Sequence, residues 1–446
     1  MSTFKPSRQL VFCILVLILS VFRFSYLGFR YTPYLDDYIQ YYFYPSFNQP
    51  WNTILAGGAG VLFTRPLAGL FDFFIWSRLN NMLWLAVIII SLLHGMSAIL
   101  FQKAFERMGI SLGSIFIIFY LFLPLNTEGT YWLSASSRIV VSLFLISASV
   151  LFAASGKTVL FAIFNFMSLW FYEQTAVLSA ILGIIFCVLE KRPAKIVIPI
   201  FNIMLLAAFY LRFGRLGDNA ARLAPISAQS FIPHTFKTIG TALNILGPVS
   251  LQLTATGFVR GIEKIFSDLS FLWFGVSGFL SVLLIMSSST YTKTPLKIRI
   301  FLGIALIFAP QLPFILTSSN SINLRNIVPC LLGIAIIADA LLPLLFKSFT
   351  PVIASLCLIV FSVAAVSEVC DYEKTARHDL ALAQKISENI NTNTTEISVK
   401  LTSPAYLPQN APYGDHIKSM VASDWGISGI VRTVSGNKKV IVKIRN

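Results

Sequence analysis

Charged residues are scarce in this chain. Asp, Glu, Lys and Arg make up 12% of its 446 residues, against about 25% in soluble domains. An ordinary water-soluble fold is excluded on that ground. Cysteine is scarce too, with 5 in the whole sequence. Cys13, Cys187, Cys330 and Cys357 lie in apolar runs and Cys370 stands just beyond the last one. With no CxxC and no Cys/His spacing, the pattern argues against a disulfide framework and against structural zinc. There is no internal repeat, so an inverted-repeat transporter has no support in the sequence. A single basic patch is missing as well. The formal net charge is +15, but the Lys and Arg residues are spread over short turns, which points to membrane topology and away from nucleic acid.

What fills the sequence is apolar: 56% of the residues are hydrophobic, gathered in runs long enough to cross a hydrocarbon core of about 30 Å. The fold class is an all-α polytopic membrane protein. About eleven spans are expected, over residues 10–29, 81–101, 110–125, 138–155, 158–171, 174–190, 195–212, 271–289, 298–317, 327–345 and 350–368. Lys5 and Arg8 precede the first run as in a signal peptide. No small-x-small cleavage site stands before Arg23 and Arg30, so an uncleaved first helix is expected.

Short basic intervals alternate with longer mixed ones. Lys103 and Arg107, Lys157, Lys191 to Lys195, Lys293 to Arg299, and Lys347 fall on the side of the N-terminus, expected to be cytoplasmic. The other side receives residues 30–80, 126–137, the tip at Glu173, 213–270, 318–326 and the tail from 369. Within 30–80, Phe63–Ile75 is apolar apart from Arg65 and Asp72 and suits an interfacial helix, and Gly57 to Gly60 forms a glycine-rich stretch. In the tail, residues 371–389 carry helical periodicity, while 396–401 and 439–444 alternate like strands.

Chemistry-bearing residues gather on that second side. The adjacent carboxylates Asp36 and Asp37 follow the first apolar run. Glu128, Tyr131, Trp132 and Arg138 lie in the next outer interval, Glu173 at a tip between two apolar segments, Arg65 before Pro66 in an apolar helix-like segment, and Arg325 at a helix start. Acids and arginines recurring at one level suit a site that handles a hydroxyl and an anionic lipid headgroup. Each residue has a plainer reading. The aspartates can be a solvated pair, the arginines lipid anchors, Glu128 a loop charge, and the Tyr41–Tyr44 run belt aromatics. His94 reads as a packed polar group. Asp72, Asp339, Asp415, His416 and Asp424 carry little signal alone.

The order of these features resembles that of the GT-C membrane glycosyltransferases, and most of all the bacterial O-antigen-modifying glucosyltransferases of the serotype-converting kind. The likeness rests on Leu35-Asp36-Asp37-Tyr38, Thr64-Arg65-Pro66-Leu67, Tyr131-Trp132 with Ser137-Arg138, and Leu324-Arg325 leading to Pro329. It implies a GT-C-like bundle over 1–368, with periplasmic loops 30–80 and 213–270 and a small α+β periplasmic domain over 369–446. It further implies an inner-membrane enzyme that moves a sugar, glucose by the likeness, from an undecaprenyl-phosphate carrier to a lipid-linked or surface glycan hydroxyl, with inversion. Asp36, Asp37 and Glu173 are then the catalytic candidates. Arg65, Glu128, Tyr131, Trp132, Arg138 and Arg325 are the substrate-binding ones. A divalent cation, Mg or Mn, is a possible cofactor because adjacent carboxylates are hard oxygen ligands. The competing readings are an O-antigen polymerase-like protein, whose loops should be dominated by arginine, and a transporter or flippase, whose ionisable residues should lie mid-helix.

Overall fold

The computed structural model describes residues 8–43, 65–213, 226–287, 294–317, 322–391, 393–400, 417, 419 and 423–445. The Gly57–Gly60 stretch, Thr64, Arg215, Arg222, Asp415 and His416 lie outside them. The described chain is mostly helix: α1 (Arg8–Phe22), α2 (Pro66–Phe74), α3 (Leu83–Arg107), α4 (Ser114–Phe122), α5 (Leu133–Ala154), α6 (Thr158–Leu169), α7 (Glu173–Leu189), α8 (Val197–Phe213), α9 (Ala228–Asn244), α10 (Ser250–Ser267), α11 (Phe271–Ser287), α12 (Leu296–Phe308), α13 (Leu331–Phe346) and α14 (Thr350–Ser387). The tail adds β1 (Glu396–Lys400), α15 (Asp424–Ser435) and β2 (Ile441–Arg445).

Six helical stretches among the described residues are long and apolar enough to cross a membrane: Leu83–Arg107, Leu133–Ala154, Pro193–Arg212, Gln229–Ser267, Leu296–Leu316 and Leu324–Ser387. Shorter apolar helices cover Arg8–Phe22, Thr158–Leu169, Glu173–Leu189 and Phe271–Ser287. A helix closes its backbone hydrogen bonds internally, so such runs satisfy hydrocarbon where open strands cannot. This is an α-helical membrane protein. α5 is its axis, buried nearly all round and packed along α3, with Ser136, Ser142, Ser147 and Ser149 letting neighbours approach. α8 is the reverse, with Val197, Phe201, Met204 and Leu211 facing outward as lipid-exposed side chains do.

Three expectations change. The span expected over 110–125 is not one continuous helix: α4 has 9 residues, roughly 14 Å, and the chain continues to α5 through short turns at Pro124–Asn126 and Thr127–Tyr131. Left-handed Gly109 (φ 78°) ends the chain direction of α3 before it, and Pro124 opens a separate 3-10 turn after it. Asp339 of α13, which had no assigned role, caps α4 by accepting hydrogen bonds from the Gly113 and Phe116 N–H groups at 3.0 and 3.2 Å, and it pairs with Arg299. Second, the interval expected as loop over 213–270 forms α9 and α10 in its described part, joined through a wide helical turn at Ile245–Val249. α10 is held against α14 by small residues. Gly261 lies so close to the Val363 carbonyl that no Cβ fits between them. Third, no break falls at 368. α14 runs 38 residues, roughly 57 Å, and so extends far past a hydrocarbon core.

The tail packs on that extension. β1 and β2 pair in parallel, Glu396 opposite Ile441 through Lys400 opposite Arg445. Ile427, Ile430 and Val431 of α15 join Val440 and Val442, Ala383 and Ile386 of α14, and Tyr38 in a small separate core. Tyr38 follows Asp37 directly, so the tail rests on the turn that carries both aspartates.

Candidate functional site

After α1 the chain passes through two left-handed residues, Gly28 (φ 68°) and Phe29 (φ 59°), and a third, Leu35 (φ 45°), stands immediately before the aspartates. A leucine in this region is strained by contact between its Cβ and the backbone, so the surroundings must hold it there. Asp37 does much of the holding. Its N–H donates to the Tyr34 carbonyl at 3.0 Å, and its Oδ2 accepts the Tyr34 N–H at 2.9 Å. The same oxygen accepts the Tyr31 hydroxyl at 2.5 Å, and Oδ1 accepts the Ser134 N–H at 2.8 Å. Tyr31 in turn accepts the Leu133 N–H at 2.9 Å. The first turn of α5 has no carbonyls of its own to receive these N–H groups. Asp37 and Tyr31 supply acceptors from a hundred residues upstream, and a carboxylate at a helix N-terminus also complements the dipole. Asp37 is wholly buried. Burial pushes its carboxyl up to about 7, while the bonds from Tyr31, Tyr34 and Ser134 oppose the rise.

Asp36 differs in each respect. It is half-buried and makes no hydrogen bond or ion pair among the described residues. Its charge is felt by Arg325, Asp72 and Asp37. The Arg325 guanidinium lies over the Trp132 ring, 4.7 Å from its centroid, makes no ion pair among the described residues, and feels the charge of Glu128 more than that of Asp36. The Arg325 backbone N–H donates to Glu128 Oε2 at 3.2 Å. Asn323 and Asn326 cap the short helix Leu324–Ile327 reciprocally, and Asn326 donates to the Tyr172 hydroxyl at 2.6 Å. Arg325 is thus fixed at its backbone, with its guanidinium on the Trp132 ring and its charge facing Glu128 and Asp36 without an ion pair among the described residues.

The remaining arginines are committed. Arg65 grips Glu173 through Nε at 3.0 Å and Nη2 at 2.6 Å and lies over the Tyr172 ring, 4.5 Å from its centroid. Arg138 points at Asp72, 3.4 Å away, with Asp72 wholly buried and its carboxyl raised by burial to about 6. Aromatic rings wall the site. Trp132 donates to the Tyr34 carbonyl at 3.1 Å and meets the Tyr34 ring edge-on, and Tyr34 meets Tyr372 in the same way. Tyr131 packs between Tyr31 and Tyr372.

All nine expected site residues therefore fall in one neighbourhood, with different parts. Glu173, expected as catalytic, is neutralised by Arg65. Asp37 is occupied as a cap. Asp36 and Arg325 make no ion pair among the described residues. Tyr31, Tyr34, Tyr172, Asn326 and Tyr372 were missed, and so was the pairing role of Asp72. A buried acid in an apolar segment was the available signal for Asp72. Three acids, Glu368, Asp371 and Glu373, at the end of the last apolar run were the signal that α14 returns to this level. His94 packs on Tyr120 as expected, ring centroids 5.1 Å apart.

The divalent cation fits these donors poorly. Among the described residues no three His, Cys, Asp or Glu side chains converge. Both Asp37 oxygens already accept hydrogen bonds, so the two aspartates do not offer one ion a shared pair. No protein-family model, no characterised protein and no solved structure matches this chain.

Proposed function

We propose that the chain is an inverting glycosyltransferase of the bacterial inner membrane, using a sugar, glucose by the resemblance, carried on undecaprenyl phosphate. The acceptor is a hydroxyl of a lipid-linked or surface glycan such as O-antigen. The reading includes about eleven crossings, a cytoplasmic N-terminus and a periplasmic active site and tail, in line with the loop charges. One observation carries it: Asp36 makes no hydrogen bond or ion pair among the described residues, its charge is felt by Arg325, and the Arg325 guanidinium lies over the Trp132 ring.

The chemistry asks for those two groups. Asp36 takes the proton of the acceptor hydroxyl as its oxygen forms a bond to the anomeric carbon. The bond from that carbon to the phosphate oxygen breaks on the opposite face, and its electron pair leaves with the lipid phosphate. Arg325 meets the charge that develops there, and Trp132 holds the guanidinium plane. Attack and departure on opposite faces give inversion. Arg65 and Arg138 are less suited to the phosphate because Glu173 and Asp72 already hold them.

The test is sugar transfer from a polyprenyl-phosphate donor by membranes carrying Asp36→Asn or Arg325→Ala, with protein levels matched. Asp36→Asn is expected to lose roughly two to four orders of magnitude. Full activity in Asp36→Asn ends the base assignment, and unchanged activity in Arg325→Ala ends the phosphate assignment.

A further inference from the structure

On the other side of the acidic turn lies an open cleft of about 770 Å³, within the range of about 300–1,000 Å³ usual for small-molecule sites. It runs between the Gly28–Pro33 segment, the start of α3 and the middle of α14. We infer that this cleft binds an oligosaccharide and is where the acceptor glycan is recognised. The acceptor part of the inference rests on the glycosyl-transfer reading; the binding part does not.

The walls carry the argument. Trp84, in the first turn of α3, lines the cleft with 46% of its surface exposed. Tyr31 and Tyr42 supply further ring surface. Sugars present C–H faces that stack on such rings, and their hydroxyls need paired donors and acceptors between them. Asn80 and Asn81 provide amides with both. Glu373 accepts the Thr32 hydroxyl at 2.9 Å and the Arg377 Nε at 2.6 Å, which fixes the Arg377 stem while 60% of its side chain stays exposed. The outer nitrogens of Arg377 are left to reach a ligand. A lipid chain is a poor fit, since amides and charges interrupt every wall. Tyr31 is shared between the two sites: its ring lines the cleft and its hydroxyl holds Asp37. Occupancy of the cleft therefore bears on the turn that presents Asp36.

The experiment is saturation-transfer NMR on the full chain in lipid nanodiscs, which avoids sugar-headed detergents, with maltotriose, cellotriose and chitotriose as probes. At least one probe is expected to bind near the millimolar level, with transfer strongest at ring C–H protons. Trp84→Ala should weaken it roughly tenfold, the scale of one lost aromatic stack, and Trp84→Phe should restore most of it. Because Trp84 is exposed, its variants should unfold at the wild-type temperature. No transfer from any probe at tens of millimolar, or equal binding in wild type and Trp84→Ala, overturns the cleft. Asp36→Asn separates the two proposals. Binding kept with transfer lost supports both, and binding kept with transfer also kept removes the catalytic reading while the cleft stands.

Discussion

Asp36 and Asp37 are neighbours in sequence and opposites in environment. Asp37 is buried under three hydrogen bonds and ties the turn to the start of α5. Asp36 is half-buried, makes no bond among the described residues, and faces the charge of Arg325. One peptide unit and a left-handed Leu35 separate a carboxylate spent on structure from one free for chemistry. The same division recurs among the basic groups, where Arg65 and Arg138 are held by acids and Arg325 by its backbone and the Trp132 ring. Strain and burial at one member of each set hold the other in place without using its charge.

The largest effect that can break this comparison is on turnover. Asp36→Asn should lower transfer by roughly two to four orders of magnitude with little change in unfolding temperature. Asp37→Asn should do the reverse in kind, because an amide places a donor where one carboxylate oxygen accepts, facing either the Ser134 N–H or the Tyr31 hydroxyl and Tyr34 N–H. Wild-type stability of Asp37→Asn beside a selective loss of turnover would exchange the two roles. Arg65→Ala comes next. It leaves Glu173, part-buried, charged and without its partner, a loss of about 1–3 kcal/mol. Replacing both Arg65 and Glu173 by Met should recover much of that stability, measured as thermal unfolding in nanodiscs. Arg325→Ala breaks no ion pair among the described residues but removes the Trp132 contact and a charge that Glu128 faces, so it should lower the unfolding temperature less than Arg65→Ala while transfer falls.

The sequence made the membrane class and the gathering of nine candidate residues in one neighbourhood legible, because charge is rare enough here that each charged residue between apolar runs is informative. It did not distinguish Asp36 from Asp37, nor Arg325 from Arg65. Those differences depend on which backbone N–H groups and which acids lie across the fold, and Ser134 and Glu173 reach their partners over separations of 97 and 108 residues. Hydropathy also misread 213–270, and it did not show that 110–125 is broken. An apolar run reports burial, and α4 is buried against α13 and α14 over 9 residues before Pro124 opens a new turn. α9 and α10 are amphipathic, with Phe236 and Leu251 exposed and Leu253 buried, a pattern that averages to a weak signal along the sequence.

The smallest effect is the most diagnostic of the Asp37 environment. Its carboxyl sits near 7 in the folded protein, above the value of about 3.9 of an unfolded aspartate. A group whose folded value is raised stabilises the fold most below the unfolded value, and that contribution is lost as pH rises through the folded one. Unfolding temperature should therefore fall between about pH 4 and pH 7 in the wild type. Tyr31→Phe removes a hydrogen bond that favours the charged form, so the decline should continue to higher pH, with about 1 kcal/mol lost from the bond itself. Asp37→Asn has no proton to release and should lack this part of the decline. If the three proteins share one slope across that range, Asp37 is not the titrating group, and the contrast between the aspartates must rest on their hydrogen bonds alone.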